Sequence, residues 1–117
     1  MNVTDVLLTI PRGSLRSDTW VAVQLGFERG AAQAAGRVIA RETLRRWPTP
    51  EAESSAIDVE AYPWWRVVGR DGDVATMRES HAWCERQVDR LTAEGHVVVP
   101  SPGTDGLRVH VLPPDFA

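Results

Sequence analysis

Two neighbouring tryptophans follow a proline at Tyr62-Pro63-Trp64-Trp65-Arg66-Val67-Val68 and lead into a short β-branched run. A small domain rarely places paired indoles at a loop-to-strand junction merely to fill space, so this junction is the first place to look for a site. A second group of residues is basic. Gln33, Arg37, Arg41 and Arg45 recur every four residues and line one face of a helix. Beside them stand Ala31, Ala32, Ala34, Ala35 and Gly36, small side chains that let a backbone approach a partner closely. One reading is a solvated basic face on a packed helix. The sharper reading is a recognition helix whose small-residue end enters a groove while its arginines touch phosphates. Metal chemistry finds no support. Cys84 is the sole cysteine, which excludes an internal disulfide and a cysteine cluster, and His81, His96 and His110 lack ligand spacing. No cofactor is implied.

The elements that would carry these residues can be read in order. Val6, Leu7 and Ile10 sit at helical spacing after a possible Thr4 cap, and Pro11 ends that segment. Ser17, Asp18 and Thr19 open a helix running to Leu25, with Gly26 as its stop. A Gly-containing loop leads to a second helix from Ala31 to Arg46, the form of a helix-turn-helix, with Ala35, Val38 and Ile39 turned to the core. Residues 47–61 are acidic, poor in large apolar side chains and interrupted by Pro48 and Pro50. They are expected to form a long surface loop or hinge with little regular structure. Arg70-Asp71-Gly72-Asp73 is a turn. A helix from Glu79 to Ala93 would bury Cys84, Val88 and Leu91, and Gly95 would stop it. Val97–Val99 and Leu107–Leu112 read as strands of a C-terminal hairpin, spanning 97–112. The expectation is one domain over 1–117, mostly α with a small β component.

Composition narrows the partners. The 117 residues are 43% hydrophobic, enough for a core, and no run approaches a membrane span. The N-terminus lacks the basic start of a signal peptide, which reads as cytoplasmic. Charge is uneven: residues 1–50 carry +3 and residues 51–117 carry −6, giving −3 overall. A net acidic chain is a poor generic nucleic-acid binder, so any DNA contact should fall to the first half. All thirteen basic residues are Arg, the side chain better suited to planar phosphate contacts.

Ile10-Pro11-Arg12-Gly13, the Ala-rich helix with Gly36, the Pro-X-X-Arg-Val-Val junction and Arg70-Asp71-Gly72 follow one another in a recognisable order. From about Val3 to Val98 the chain resembles the DNA-binding domain of O6-alkylguanine-DNA alkyltransferases, which implies a winged helix-turn-helix-like fold. In those enzymes the junction reads Pro-Cys-His-Arg, and the Cys accepts the alkyl group. Here Trp64 stands at the Cys position and Trp65 at the His position. That replacement marks the alkyltransferase-like proteins, which bind alkylated guanine without repairing it. Glu85-Arg86-Gln87, Asp89-Arg90-Leu91 and Glu94-Gly95 also look like that subfamily. Dealkylation needs a nucleophile activated by a neighbouring base, and an indole does neither job. Cys84 lies on a separate helix among apolar neighbours and reads as an inert buried thiol.

The resemblance implies a site. Proteins of this superfamily flip the modified nucleotide into a pocket, where it stacks on apolar or aromatic groups. Pro63, Trp64 and Trp65 would line that pocket, the alternative for both rings being a place in the core. Arg78, in the loop after Arg-Asp-Gly, matches an Arg that contacts the alkylguanine. Ala31, Ala32, Gln33, Gly36, Arg37 and Arg41 would form the DNA-binding helix. There are departures. Gln33 stands where the family uses an Arg to fill the space left by the flipped base. Asp18 stands where a Tyr rotates the phosphate, and an acidic side chain repels a phosphate. The usual Asn-containing hinge is absent. Two functions follow. One is a non-enzymatic sensor that binds duplex DNA containing alkylated guanine, as a monomer, and marks it for another pathway such as nucleotide excision repair; bound to DNA, it would sit on the nucleoid. The other is a scaffold repurposed for protein interaction or regulation, with weak or no DNA binding.

Overall fold

The computed structural model describes residues 2–28, 31–74, 77, 80–103 and 108–112. The first helix, α1 (Val3–Leu8), is capped by Asn2, whose side chain accepts the Asp5 N–H at 2.9 Å. The expected cap, Thr4, lies inside the helix instead. Val6, Leu7 and Ile10 are buried, as their spacing requires. After the turn at Pro11–Ser14 the chain extends into β1 (Arg16–Ser17). Ser17 then caps α2 (Asp18–Gln24) by accepting the Trp20 N–H at 3.0 Å. Gly26 takes φ +81°, and the Phe27 N–H reaches back to the Ala22 carbonyl at 2.9 Å. This left-handed glycine satisfies the last carbonyls of α2 and turns the chain toward the next helix.

The second helix of the pair, α3 (Ala32–Arg46), packs against α2. Its buried stripe is Ala35, Ile39 and Thr43, one residue every four, so one face alone enters the core. Val38 is only half-buried, at the edge of that stripe. Trp47 leaves the helix in an extended conformation and is itself buried.

Residues 47–61 do not form the irregular loop expected from their composition. Thr49 caps a short helix, α4 (Pro50–Ser54), and Val59–Ala61 make a 3-10 turn. Pro50 occupies the first helical position, where its missing N–H costs nothing. The acidic character misled because a charge there is taken inside: Glu53 is 0% exposed.

A second 3-10 turn, Trp64–Arg66, runs straight into β2 (Val67–Val68). The strand pairs in parallel with β1, Arg16 opposite Val67 and Ser17 opposite Val68. That pairing places the tryptophan junction beside the start of α2. Ser80 caps α5 (His81–Ala93). The helix buries Trp83, Gln87 and Leu91, not the predicted stripe of Cys84, Val88 and Leu91. The inward face is turned by about one residue because the larger Trp83 takes the interior position, and Cys84 is left half-buried. β3 (Val97–Pro100) and β4 (Val109–Leu112) pair antiparallel, with Val98 opposite Val111 on the core side. The Val74 N–H to Val109 carbonyl and Val111 N–H to Gly72 carbonyl bonds fasten this hairpin to the turn after β2. Among the described residues no helix is long and apolar enough to cross a membrane.

Candidate nucleic-acid interface

The junction is held from two directions. On α5, the Gln87 side-chain amide donates to the carbonyls of Trp65 (3.2 Å) and Val67 (2.9 Å). A buried amide with two carbonyl acceptors fixes the turn's backbone, because leaving those carbonyls unpaired would cost a full desolvation. From α4, the Glu53 carboxylate accepts the indole N–H of Trp64 at 2.9 Å. The Arg90 guanidinium pairs with the same carboxylate, through Nε at 3.1 Å and Nη2 at 2.7 Å, and Nη2 also donates to the Glu53 carbonyl at 3.1 Å. Arg86 approaches Glu53 at 3.9 Å and pairs with Asp89 at 3.4 Å.

The three aromatic rings interlock. Trp64 meets Trp65 edge to face at 6.4 Å between centroids, and meets Trp83 edge to face at 5.5 Å. The Arg66 and Arg90 guanidiniums lie 5.1 and 5.4 Å from the Trp65 ring centroid. Trp64 and Trp65 are 0% and 1% exposed, and Pro63 is buried with them. In the free protein neither ring presents an open wall. Both are core side chains: Glu53 satisfies the polar end of Trp64 and lets that indole go fully inside, and Trp65 is packed beside it next to the Arg66 and Arg90 guanidiniums.

Arg66, 4% exposed, organises the other side of the turn. It grips Glu94 through Nε (3.1 Å) and Nη2 (2.6 Å), and reaches Glu60 at 2.8 Å and the Ile10 carbonyl at 3.1 Å. Burial pushes the Glu94 carboxyl up, but the hydrogen bonds and charge of Arg66 and the Gly13 N–H hold it below the usual carboxylate range. The Arg66 guanidinium is lowered by burial and raised further by Glu94 and Glu60, with a net rise.

The helical face predicted to meet DNA is exposed at Gln33, Arg37, Arg41 and Arg45. These four are not equivalent. Arg45 is tied to Glu42 through two bonds, 2.8 and 2.6 Å, and Arg46 shares the same carboxylate at 3.0 Å. The Arg45 hydrogen bond holds Glu42 low despite its slight desolvation. Arg37 and Arg41 form no ion pair among the described residues. Ala31 precedes the helix, and Ala31, Ala32 and Gly36 are half-buried. Outside its own helix, a Cβ added at Gly36 would meet nothing within 4 Å among the described residues, so no packing among them demands a glycine there. Asp18 is the first residue of α2, half-buried, and its carboxylate accepts the Thr19 N–H at 2.8 Å. Ser17, not Asp18, is the cap. Arg78 lies outside the described residues. Cys84 donates its thiol to the Met77 carbonyl at 3.4 Å. Among the described residues no group of three His, Cys, Asp or Glu side chains could hold a metal ion.

The sequence does not single out Glu53, and it marks Gln87 and Arg90 only as part of the subfamily-like helix text, with no role at the junction. Thr49-Pro50-Glu51 is a helix-start signal that could have revealed α4. Arg86 and Arg90, one helical turn apart, could have suggested a carboxylate between them.

No curated protein matches the chain significantly. Its fold is similar to that of Schizosaccharomyces pombe Atl1, solved in complex with damaged DNA containing O6-carboxymethylguanine. The TM-score is 0.61 at 23% identity, covering 95% of this chain and 84% of that one. That likeness concerns the fold: a mostly helical domain with a small β component, of the winged helix-turn-helix-like type, in which α2 packs against α3. The family profile described as 6-O-methylguanine DNA methyltransferase, DNA binding domain, matches residues 1–96. The chain belongs to the 6-O-methylguanine DNA methyltransferase DNA-binding-domain family.

Proposed function

We propose that the protein recognises alkylated guanine in duplex DNA and does not remove the alkyl group. The observation that carries this reading is the state of Trp64. At the position that the Pro-X-X-Arg resemblance aligns with the family's acceptor Cys, the side chain is an indole whose N–H is already engaged by Glu53. No thiol stands there, and the sole cysteine is on α5 with its thiol turned to a backbone carbonyl. Alkyl transfer would need an activated nucleophile at this place. Helix α3 supplies the DNA contact. Its open surface at Gly36 accepts a close backbone, Arg37 and Arg41 meet phosphates, and Gln33 hydrogen-bonds the base orphaned by flipping. Pro63, Trp64 and Trp65 are closed in the free protein, so the flipped guanine would lie against them only after what covers them is displaced, with Arg78 contacting the alkylated edge. S. pombe Atl1 was crystallised with DNA bearing an O6-alkylated guanine, which supports the same class of partner here. A bound but unrepaired lesion would serve as a mark for another repair pathway, such as nucleotide excision repair.

A second reading has one observation in its favour. Both tryptophans are closed in the free protein, so a base meets them only after displacing what covers them. A scaffold used for protein interaction, with weak or absent DNA binding, would also leave the rings inside. Titration of a labelled duplex with one O6-methylguanine, against the same duplex with guanine, separates the two. Tighter binding to the lesion supports recognition. Equal binding, or none even at low ionic strength, supports the scaffold.

A further inference from the structure

We infer that Glu53 is a positioning residue for lesion recognition: through the Trp64 indole N–H it fixes the ring that stands in the acceptor position. The inference rests on the reading that the protein binds alkylated guanine, and it adds a residue to which neither the family profile nor the fold likeness assigns a role.

Of the five residues of α4, Glu53 alone is buried. The contribution of this helix to the interior is therefore a carboxylate, and it is aimed at the one residue that replaces the family's nucleophile. A buried ion pair is not an efficient source of stability, since an apolar pair of similar volume often does as well or better. What the pair supplies is direction. Arg90 binds both carboxylate oxygens and the Glu53 carbonyl, which sets the carboxylate plane. The carboxylate then sets the rotation of the Trp64 ring, and Trp65 and Trp83 close on that ring edge to face. A ring held by its N–H keeps one orientation, whereas a ring held by apolar packing alone can shift among several. With the N–H engaged, Trp64 has no indole donor left for the guanine, and once what covers the ring is displaced its contribution to a base is an apolar surface of fixed orientation.

The test uses the full chain with two variants. Glu53→Met combined with Arg90→Met replaces the ion pair by apolar side chains and leaves no unpaired buried charge, but removes the acceptor for Trp64. It is expected to bind unmodified duplex within about twofold of wild type and to lose at least tenfold of the preference for O6-methylguanine. The Trp64 indole N–H resonance should move away from its carboxylate-bonded position. Glu53→Gln keeps shape and an acceptor oxygen, so it should retain the preference within about threefold. A double variant with a displaced Trp64 resonance and an unchanged lesion preference would overturn the assignment. Should the double variant not fold, Glu53→Gln decides: a retained resonance with a lost preference overturns it equally. A wild type with no preference for the lesion is a different result. It removes the recognition reading itself, and this assignment with it.

Discussion

Arg66 and Glu94 have side chains only 5% and 3% exposed, and between them they tie the tryptophan turn to the Ile10 carbonyl and the Gly13 N–H. Removing one member strands the other charge inside. Arg66→Met should therefore destabilise the fold by about 3–5 kcal/mol, the usual cost of breaking a buried pair, read as a lower urea midpoint with an unchanged slope. The same pair gives a pH dependence. The Glu94 carboxyl is held low in the folded protein, so the unfolded chain takes up the proton first. Its contribution is fully present above the ordinary Glu range, near pH 4.3, and is lost as pH falls through the lower folded value. Glu94→Gln should be less stable than wild type at pH 7, and the gap between the two urea midpoints should narrow below about pH 4.

At the scale of elements, α3 carries the claim about DNA. A helical glycine costs roughly 0.5–1 kcal/mol relative to alanine, and at Gly36 the chain offers no packing reason for it. Gly36→Ala should raise stability by about that amount in a thermal melt, and, if α3 is the DNA-contacting helix as proposed, should weaken duplex binding. Each of Arg37→Ala and Arg41→Ala should reduce the slope of log affinity against log salt by about 0.9 per lost phosphate contact. Arg45→Ala should change it less, since Glu42 already holds that guanidinium. The bounds of α3 were legible because small and apolar residues recur with its own period, and because Trp47-Pro48 stops it. The short helix α4 was hidden by its composition. Glu53 becomes a buried residue only through Arg90, thirty-seven positions later, and no local pattern announces such a partner. The inward face of α5 was misread for a related reason: Gln87 is polar in sequence yet fully buried, because the carbonyls of Trp65 and Val67 satisfy its amide.

The whole molecule joins a basic helix pair to an acidic second half, −3 overall, so its hold on DNA must come from a localised face and not from net charge. The order of motifs along the chain made the fold readable, because the turn, the helix pair and the junction each carry their own residue signature. The tryptophan junction was readable in position but not in burial. Sequence placed Trp64 and Trp65 at the junction, whereas their closure depends on a carboxylate and two arginines supplied from elsewhere in the chain. The central claim is recognition without repair. It is tested most directly by saturating a duplex carrying one O6-methylguanine with excess protein, recording the affinity relative to unmodified duplex, and then hydrolysing the DNA to count the methylated base. The account predicts tighter binding to the lesion, full recovery of O6-methylguanine and no gain in protein mass. Equal affinity for the two duplexes, or disappearance of the methylated base, would contradict it.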